Sequence, residues 1–210
     1  DGSYSATIRH HGVVLLRLSA VAAGVRSISS AVTGERSVSA AAGVRGTREV
    51  WLDDLAIGTY SEDIRPISLR TSYKSGDSLR IGGHRYGRGL GVQSLSAIEL
   101  GLNGRASRFM ALAGADDGAN KEIPLQFYVI GDGRILFASG DRRAGEPPVA
   151  VNVDLEGVQR LGLLVRDEVG GTANKRTNGD WADARLVMKG DCLPDPVRDT
   201  AARYVLTPPP

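Results

Sequence analysis

The side chains in this 210-residue chain best suited to a polar ligand fall into short clusters. They are Asp53-Asp54, Asp116-Asp117, the Asp180-Trp181 pair with Asp183 behind it, and the amide and guanidinium set Gln93, Asn174, Arg176 and Asn178. Carboxylates accept hydrogen bonds from hydroxyls, a guanidinium forks onto paired oxygens, and an aromatic ring offers an apolar plane. Side by side, such groups fit a ring-shaped ligand with an apolar C–H face and a rim of hydroxyls.

The same residues are poorly placed for bond cleavage. Glycoside hydrolysis asks for two carboxyl groups facing each other at roughly 5 to 9 Å. Neighbours such as Asp116 and Asp117 point to opposite faces of a strand, as do Asp53 and Asp54, and Asp180 and Asp183 straddle the start of one. His10, His11 and His84 are the only histidines, and no serine sits in a Gly-x-Ser-x-Gly turn, so a nucleophilic relay is unsupported. Gly87 to Gly91 (GRGLG) precedes a strand, whereas a phosphate-binding loop must open a helix; its glycines suit a tight bend and close backbone packing. No catalytic residue is assigned.

Each binding candidate also has a plain structural alternative. Trp181 is either a ring beside Asp180 for a sugar face or a buried Trp with its indole N–H satisfied, and Trp51 is expected in the core. Asp116 and Asp117 either reach a sugar hydroxyl or a structural Ca²⁺ ion, or form a turn by bonding their own backbone. No cofactor is required. His84 is expected as a loop residue among glycines.

What must position these residues is a set of strands. Val149, Val151, Val153 and Leu155 alternate with other residues, as do Ile98, Leu100 and Leu102, and Leu125, Phe127 and Val129. Asp132-Gly133 is a hairpin turn returning into Arg134 to Ala138. Arg108 to Ala115, Leu161 to Val165 and Ala184 to Met188 supply further strands. No comparable stretch keeps a three-to-four period, so helices are expected to be few and short. Two packed antiparallel sheets follow, with extended tails.

Composition narrows the function. With 26 Lys and Arg against 24 Asp and Glu, net charge is only +2, and the arginines are scattered, so a nucleic-acid surface is excluded. No apolar run approaches the roughly 20 residues of a membrane helix. Cys192 is the single cysteine, so no internal disulfide or thiolate metal cluster forms.

Five segments carry a resemblance: WLDDL at Trp51 to Leu55, HRYGRGLGVQSLSAIEL at His84 to Leu100, FMALAGADD at Phe109 to Asp117, FYVIGDGRIL at Phe127 to Leu136, and DWADARL at Asp180 to Leu186. In this order they resemble the NPCBM family, a jelly-roll module of bacterial glycoside hydrolases related to galactose-binding folds. Two positions depart from the family pattern: Gln93 stands where a histidine usually follows Gly-Val, and Asn178-Gly179 where His-Ala often precedes Asp-Trp. The flank YSATIRHHGVVLLRL is similar to the last strands of the β-domain closing family twenty-seven α-galactosidases. DCLPDPVRDTAARYVLTPPP looks like a connector into such an enzyme.

The resemblance implies an all-β, jelly-roll sandwich over residues 50–190. Residues 1–18 would end a preceding β-domain, 19–49 form a linker or weak strands, and 191–210 a proline-rich exit linker. It further implies a secreted or periplasmic, non-catalytic module binding a galactose-containing glycan for a linked α-galactosidase-like catalytic domain. Gln93, Asp116, Asp117, Arg176, Asp180 and Trp181 are the expected contacts. The alternative is a spacer or protein-contact domain that keeps the fold without the sugar.

Overall fold

A computed structural model describes residues 29–30, 38–39, 46–55, 57, 67–73, 75–167 and 177–196. The chain divides into two compact units, Asp1–Gly46 and Thr47–Pro210. In the first, β1 (Ser29–Ser30) pairs antiparallel with β2 (Val38–Ser39). The expected strands of residues 1–18 lie outside the described residues.

The second unit opens with β3 (Thr47–Trp51) and a 3-10 turn at Leu52–Asp54, then β4 (Ser68–Leu69), β5 (Leu79–Ile81), β6 (His84–Tyr86) and β7 (Gly89–Gln93). The long strands follow: β8 (Ser96–Gly101), β9 (Ala106–Ala115), β10 (Leu125–Gly131), β11 (Arg134–Arg142), β12 (Val149–Asp154), β13 (Arg160–Asp167), β14 (Asn178–Lys189) and β15 (Asp195–Pro196). That 3-10 turn is the only helical element among the described residues.

Two antiparallel sheets pack face to face, as the alternation predicted. One runs β11-β10-β13-β8-β15; the other runs β12-β9-β14-β7-β4, with β3 also on β14. β14 is the spine of the second sheet: β9 lies along one side, while β7 takes Asn178 to Ala182 and β3 takes Arg185 to Lys189 on the other. The first five residues of β14 are buried on both faces and lose the alternation of a half-exposed strand, whereas the alternating stretch Ala184 to Met188 was legible.

The core lies between the sheets. Leu125, Phe127 and Val129 of β10 meet Phe109, Ala111 and Ala113 of β9, and Trp181 is fully buried with them. Trp181 fits because its cross-strand neighbour is the small Ala113. It sits edge-on to Phe127 at 5.1 Å and to Phe109 at 6.0 Å, the geometry aromatic rings prefer. Gly179 is required by the same packing: a Cβ there would stand 2.7 Å from Phe127 Cζ. The hairpin turn forms as expected, with Asp132 at φ 49° and Gly133 at φ 81°.

Some expectations are corrected. Asp195–Pro196, expected in an exit linker because proline cannot pair inside a sheet, forms an edge strand on β8; at an edge the missing N–H can face away from the ladder. Trp51 is half-buried, not core: its ring lies under the Arg88 guanidinium at 4.5 Å and the Arg185 guanidinium at 5.3 Å. His84 is in β6, not a loop.

Candidate functional site

Side chains alternate along β14, so Gly179 and Trp181 face the core and Asn178 and Asp180 face away from it. Register then assembles a polar patch on the outer face. Asn178 pairs with Gln93, and Asp180 lies between Gly91 and Gly114. Asp116 follows β9 on the same side, its N–H donating to Asn178 O at 3.1 Å. The two positions that depart from the family pattern, Gln93 and Asn178, are therefore direct cross-strand neighbours.

Part of this patch is roofed. The β5–β6 hairpin crosses it with Ile81 over Gly114, and the loop carrying Thr71 to Tyr73 crosses Gly91 so closely that a Cβ there would stand 2.2 Å from Thr71 O. The glycine-rich motif serves close packing as expected, but Gly89 and Gly91 do so from within β7 rather than before a strand. Arg80 N donates to Asp180 Oδ2 at 3.1 Å, Asp117 N donates to Arg80 O at 2.8 Å, and Gly83 N donates to Asp117 Oδ2 at 2.8 Å. Arg80 Nε stands 3.7 Å from the same carboxylate oxygen. The sheet and hairpin are pinned together through two aspartates that sequence proximity to Trp181 and Gly114 alone did not connect.

The roof decides what each candidate can do. Asp180 and Trp181 are both 0% exposed. Trp181 offers no plane to a ligand, which corrects its reading as a platform, and its Nε1 finds no acceptor among the described residues, so the satisfied N–H of the buried alternative is not seen either. Asp180 cannot reach a ligand on the surface. Asp116, 5% exposed, accepts from Gly118 N at 2.8 Å, the turn-forming bond that was its structural alternative. Gln93 and Asp117 are half-buried and remain at the rim. Asn174 and Arg176 lie outside the described residues.

Buried acceptors collect here without donors. Gln93 Oε1, Asp116 Oδ2, Asp117 Oδ1 and Asp180 Oδ1 have no hydrogen-bond partner among the described residues. Burial first, and the adjacent Asp116 carboxyl second, push Asp180 well above its ordinary value; a hydrogen bond donated by the protonated Asp180 to Asp116 acts in the same direction. A proton held by Asp180 and donated to Asp116 would give both orphaned oxygens a partner. At hydrogen-bonding range and under a roof, this pair lacks the separation and the cleft of a glycosidase pair. Among the described residues no group of three or more His, Cys, Asp or Glu side chains is arranged to hold a metal ion. No helix among them is long and apolar enough to cross a membrane.

Asp53 and Asp54 do something different. The buried Asp53 carboxylate bonds Arg70 and Arg88, and Asp54 pairs with the same two arginines, clamping the 3-10 turn to the strand ends beside Trp51. The Arg88 hydrogen bond holds the Asp54 carboxyl below its ordinary value. Every charge in the clamp is committed to a partner within it.

The described residues form a twin-sheet module with a polar patch on the outer face of one sheet. The NPCBM/NEW2 domain pattern covers residues 48–187, and the chain belongs to that family, whose members are non-catalytic carbohydrate-binding modules found in glycoside hydrolases. A Renibacterium salmoninarum protein named for endo-alpha-N-acetylgalactosaminidase activity is 28% identical over 160 residues, 73% of this chain. The alpha-1,3-galactosidase B of Akkermansia muciniphila is 32% identical over 117 residues, 52% of this chain. The aligned parts are only 10% and 14% of those two proteins.

Solved structures agree on the fold. The CBM51 module of a Clostridium perfringens GH95 protein, in complex with methyl-galactose, is 26% identical with a TM-score of 0.56; the match covers 66% of this chain and 99% of that one. CBM51-2 with the INT domains of Clostridium perfringens ZmpB, in complex with GlcNAc, is 22% identical with a TM-score of 0.58, covering 69% of this chain and 32% of that one.

Proposed function

We propose that this chain binds a galactose-containing glycan and holds a linked, secreted α-galactosidase-like hydrolase near its substrate. The observation that carries this reading is the likeness to the CBM51 module solved with methyl-galactose, which is matched over 99% of its length. The galactosidase relative, 32% identical over its matched part, supports the same sugar class. A weak module on the same polypeptide raises the effective concentration of substrate around the active site without any chemistry of its own. The contacts it names are Gln93 and Asp117 at the rim. Isothermal titration of the chain with methyl galactoside, after a glycan array, tests it. Saturable binding without turnover is expected; a flat array and no heat would overturn it.

A second reading, a spacer that keeps the fold without the sugar, has one observation in its favour. Two of the six expected contacts, Asp180 and Trp181, are fully buried. A flat array is its expected result, so one experiment separates the two.

A further inference from the structure

With Trp181 withdrawn into the core, the sugar-binding reading needs another aromatic plane. Among the described residues, Phe109 and Phe127 are buried with Trp181. Trp51 has two guanidinium groups over its ring. Tyr128 belongs to β10 in the other sheet, where its hydroxyl donates to Gln126 at 2.7 Å, and Phe137 packs against the core from β11. Tyr73 and Tyr86 remain on the patch side, both half-buried.

Only Tyr86 rides on the element tied to the acidic row. It sits at the end of β6, opposite Leu79 in the register, so it shares the sheet-facing side of the hairpin with the buried Leu79. The hairpin is fastened to Asp117 through Gly83 N and Arg80 O, and two residues beyond Tyr86 the Arg88 carbonyl accepts from Asp183 N at 3.0 Å. Asp183 lies in the register shift between Ala182 and Arg185 with φ 49°. A bulge of this kind re-aims a side chain that a regular strand would send elsewhere, and a non-glycine residue holds such a φ only when its surroundings enforce it. The Asp183 carboxylate accepts no hydrogen bond among the described residues. Burial, then Asp183, then Asp117 raise the Tyr86 phenol above its ordinary value, so both carboxylate fields reach the ring.

We propose that Tyr86, with Asp183 and Asp117 beside it and Arg80 at the rim, is the platform on which a pyranose lays its C–H face. The inference rests on the carbohydrate-binding reading above and names its contacts. The ring supplies the apolar surface, the two carboxylates accept from vicinal hydroxyls, and the half-exposed Arg80 donates to a sugar oxygen.

The test is calorimetric titration of the full chain with methyl galactoside, comparing wild type with Y86A, Y86F and D183A. Y86A is expected to weaken binding roughly tenfold or more, as truncation of an aromatic anchor does. Y86F, which keeps the ring, should lose less, and D183A should fall between them. A second readout on the unaltered chain removes any dependence on how a variant folds: the Tyr86 ring resonances should shift as galactoside is added. Wild-type binding that Y86A leaves intact, or ring resonances unmoved at saturation, overturns the platform while the module remains a sugar binder. Absence of any binding by wild type overturns the sugar reading itself and the platform with it.

Discussion

Replacing Asp180 with asparagine probes the buried carboxyl pair most directly. Asp180 is fully buried, accepts from Arg80 N through Oδ2, and leaves Oδ1 without a partner among the described residues, where a proton donated to Asp116 would sit. Its folded-state value is raised well above the ordinary one, and an unfolded aspartate titrates near about 3.9. The sign follows: the stability carried by this proton is complete below about pH 4 and is lost as pH rises through the folded value. For one proton the slope cannot exceed about 1.4 kcal/mol per pH unit. Asparagine imitates the protonated acid. Its carbonyl can accept from Arg80 N and its amide can donate to Asp116 Oδ2, with nothing left to ionise. D180N should therefore match wild type in mild acid and exceed it at alkaline pH. D180A leaves the Arg80 N–H without its acceptor and should cost about 1 to 3 kcal/mol throughout. Urea unfolding of all three from pH 5 to pH 9 decides the matter. Parallel curves for wild type and D180N, or a D180N loss as large as that of D180A, would show that Asp180 is ionised and that the shared proton is wrong.

Three other perturbations test the packing around the patch. W181A should cost about 3 to 5 kcal/mol in urea unfolding, because it empties the space between Phe109 and Phe127; a stable variant that lost only sugar binding would restore Trp181 as a platform. G91A places a Cβ 2.2 Å from Thr71 O, so the crossing loop must lift, and a thermal shift equivalent to about 1 to 3 kcal/mol is expected. Asp54 is held below its ordinary value by Arg88, so its contribution is present above the unfolded value and lost as pH falls through the folded one. D54N should flatten that acid limb, and because the carboxylate is 49% exposed the effect should shrink in 1 M salt.

Much of the fold was legible because period-two alternation is a local property. Val151 and Val153 point inward wherever β12 lies, and Asp132-Gly133 turns the chain back whatever packs on it. The aromatic, glycine and aspartate motifs placed the chain in its family for the same reason: spacing along the chain survives without coordinates. Asp116, Asp117 and Asp180 could be named together, and the structure does bring them together. Their roles could not be read, since exposure depends on what crosses above them. The β5–β6 hairpin covers Asp180 from 100 residues away, and no local pattern announces that approach.

Strand content, charge balance and family membership were thus determined by residue type and spacing alone. Tertiary structure alone decided which aromatic is core and which is half-buried: Trp181 and Tyr86 differ because one faces Phe127 across the sandwich and the other sits on the β5–β6 hairpin outside it. It also made Gln93 and Asn178 neighbours, through a strand pairing that joins residues far apart in the chain. Burial and charge proximity depend on the whole arrangement of elements, and those two quantities assign each polar side chain its chemistry.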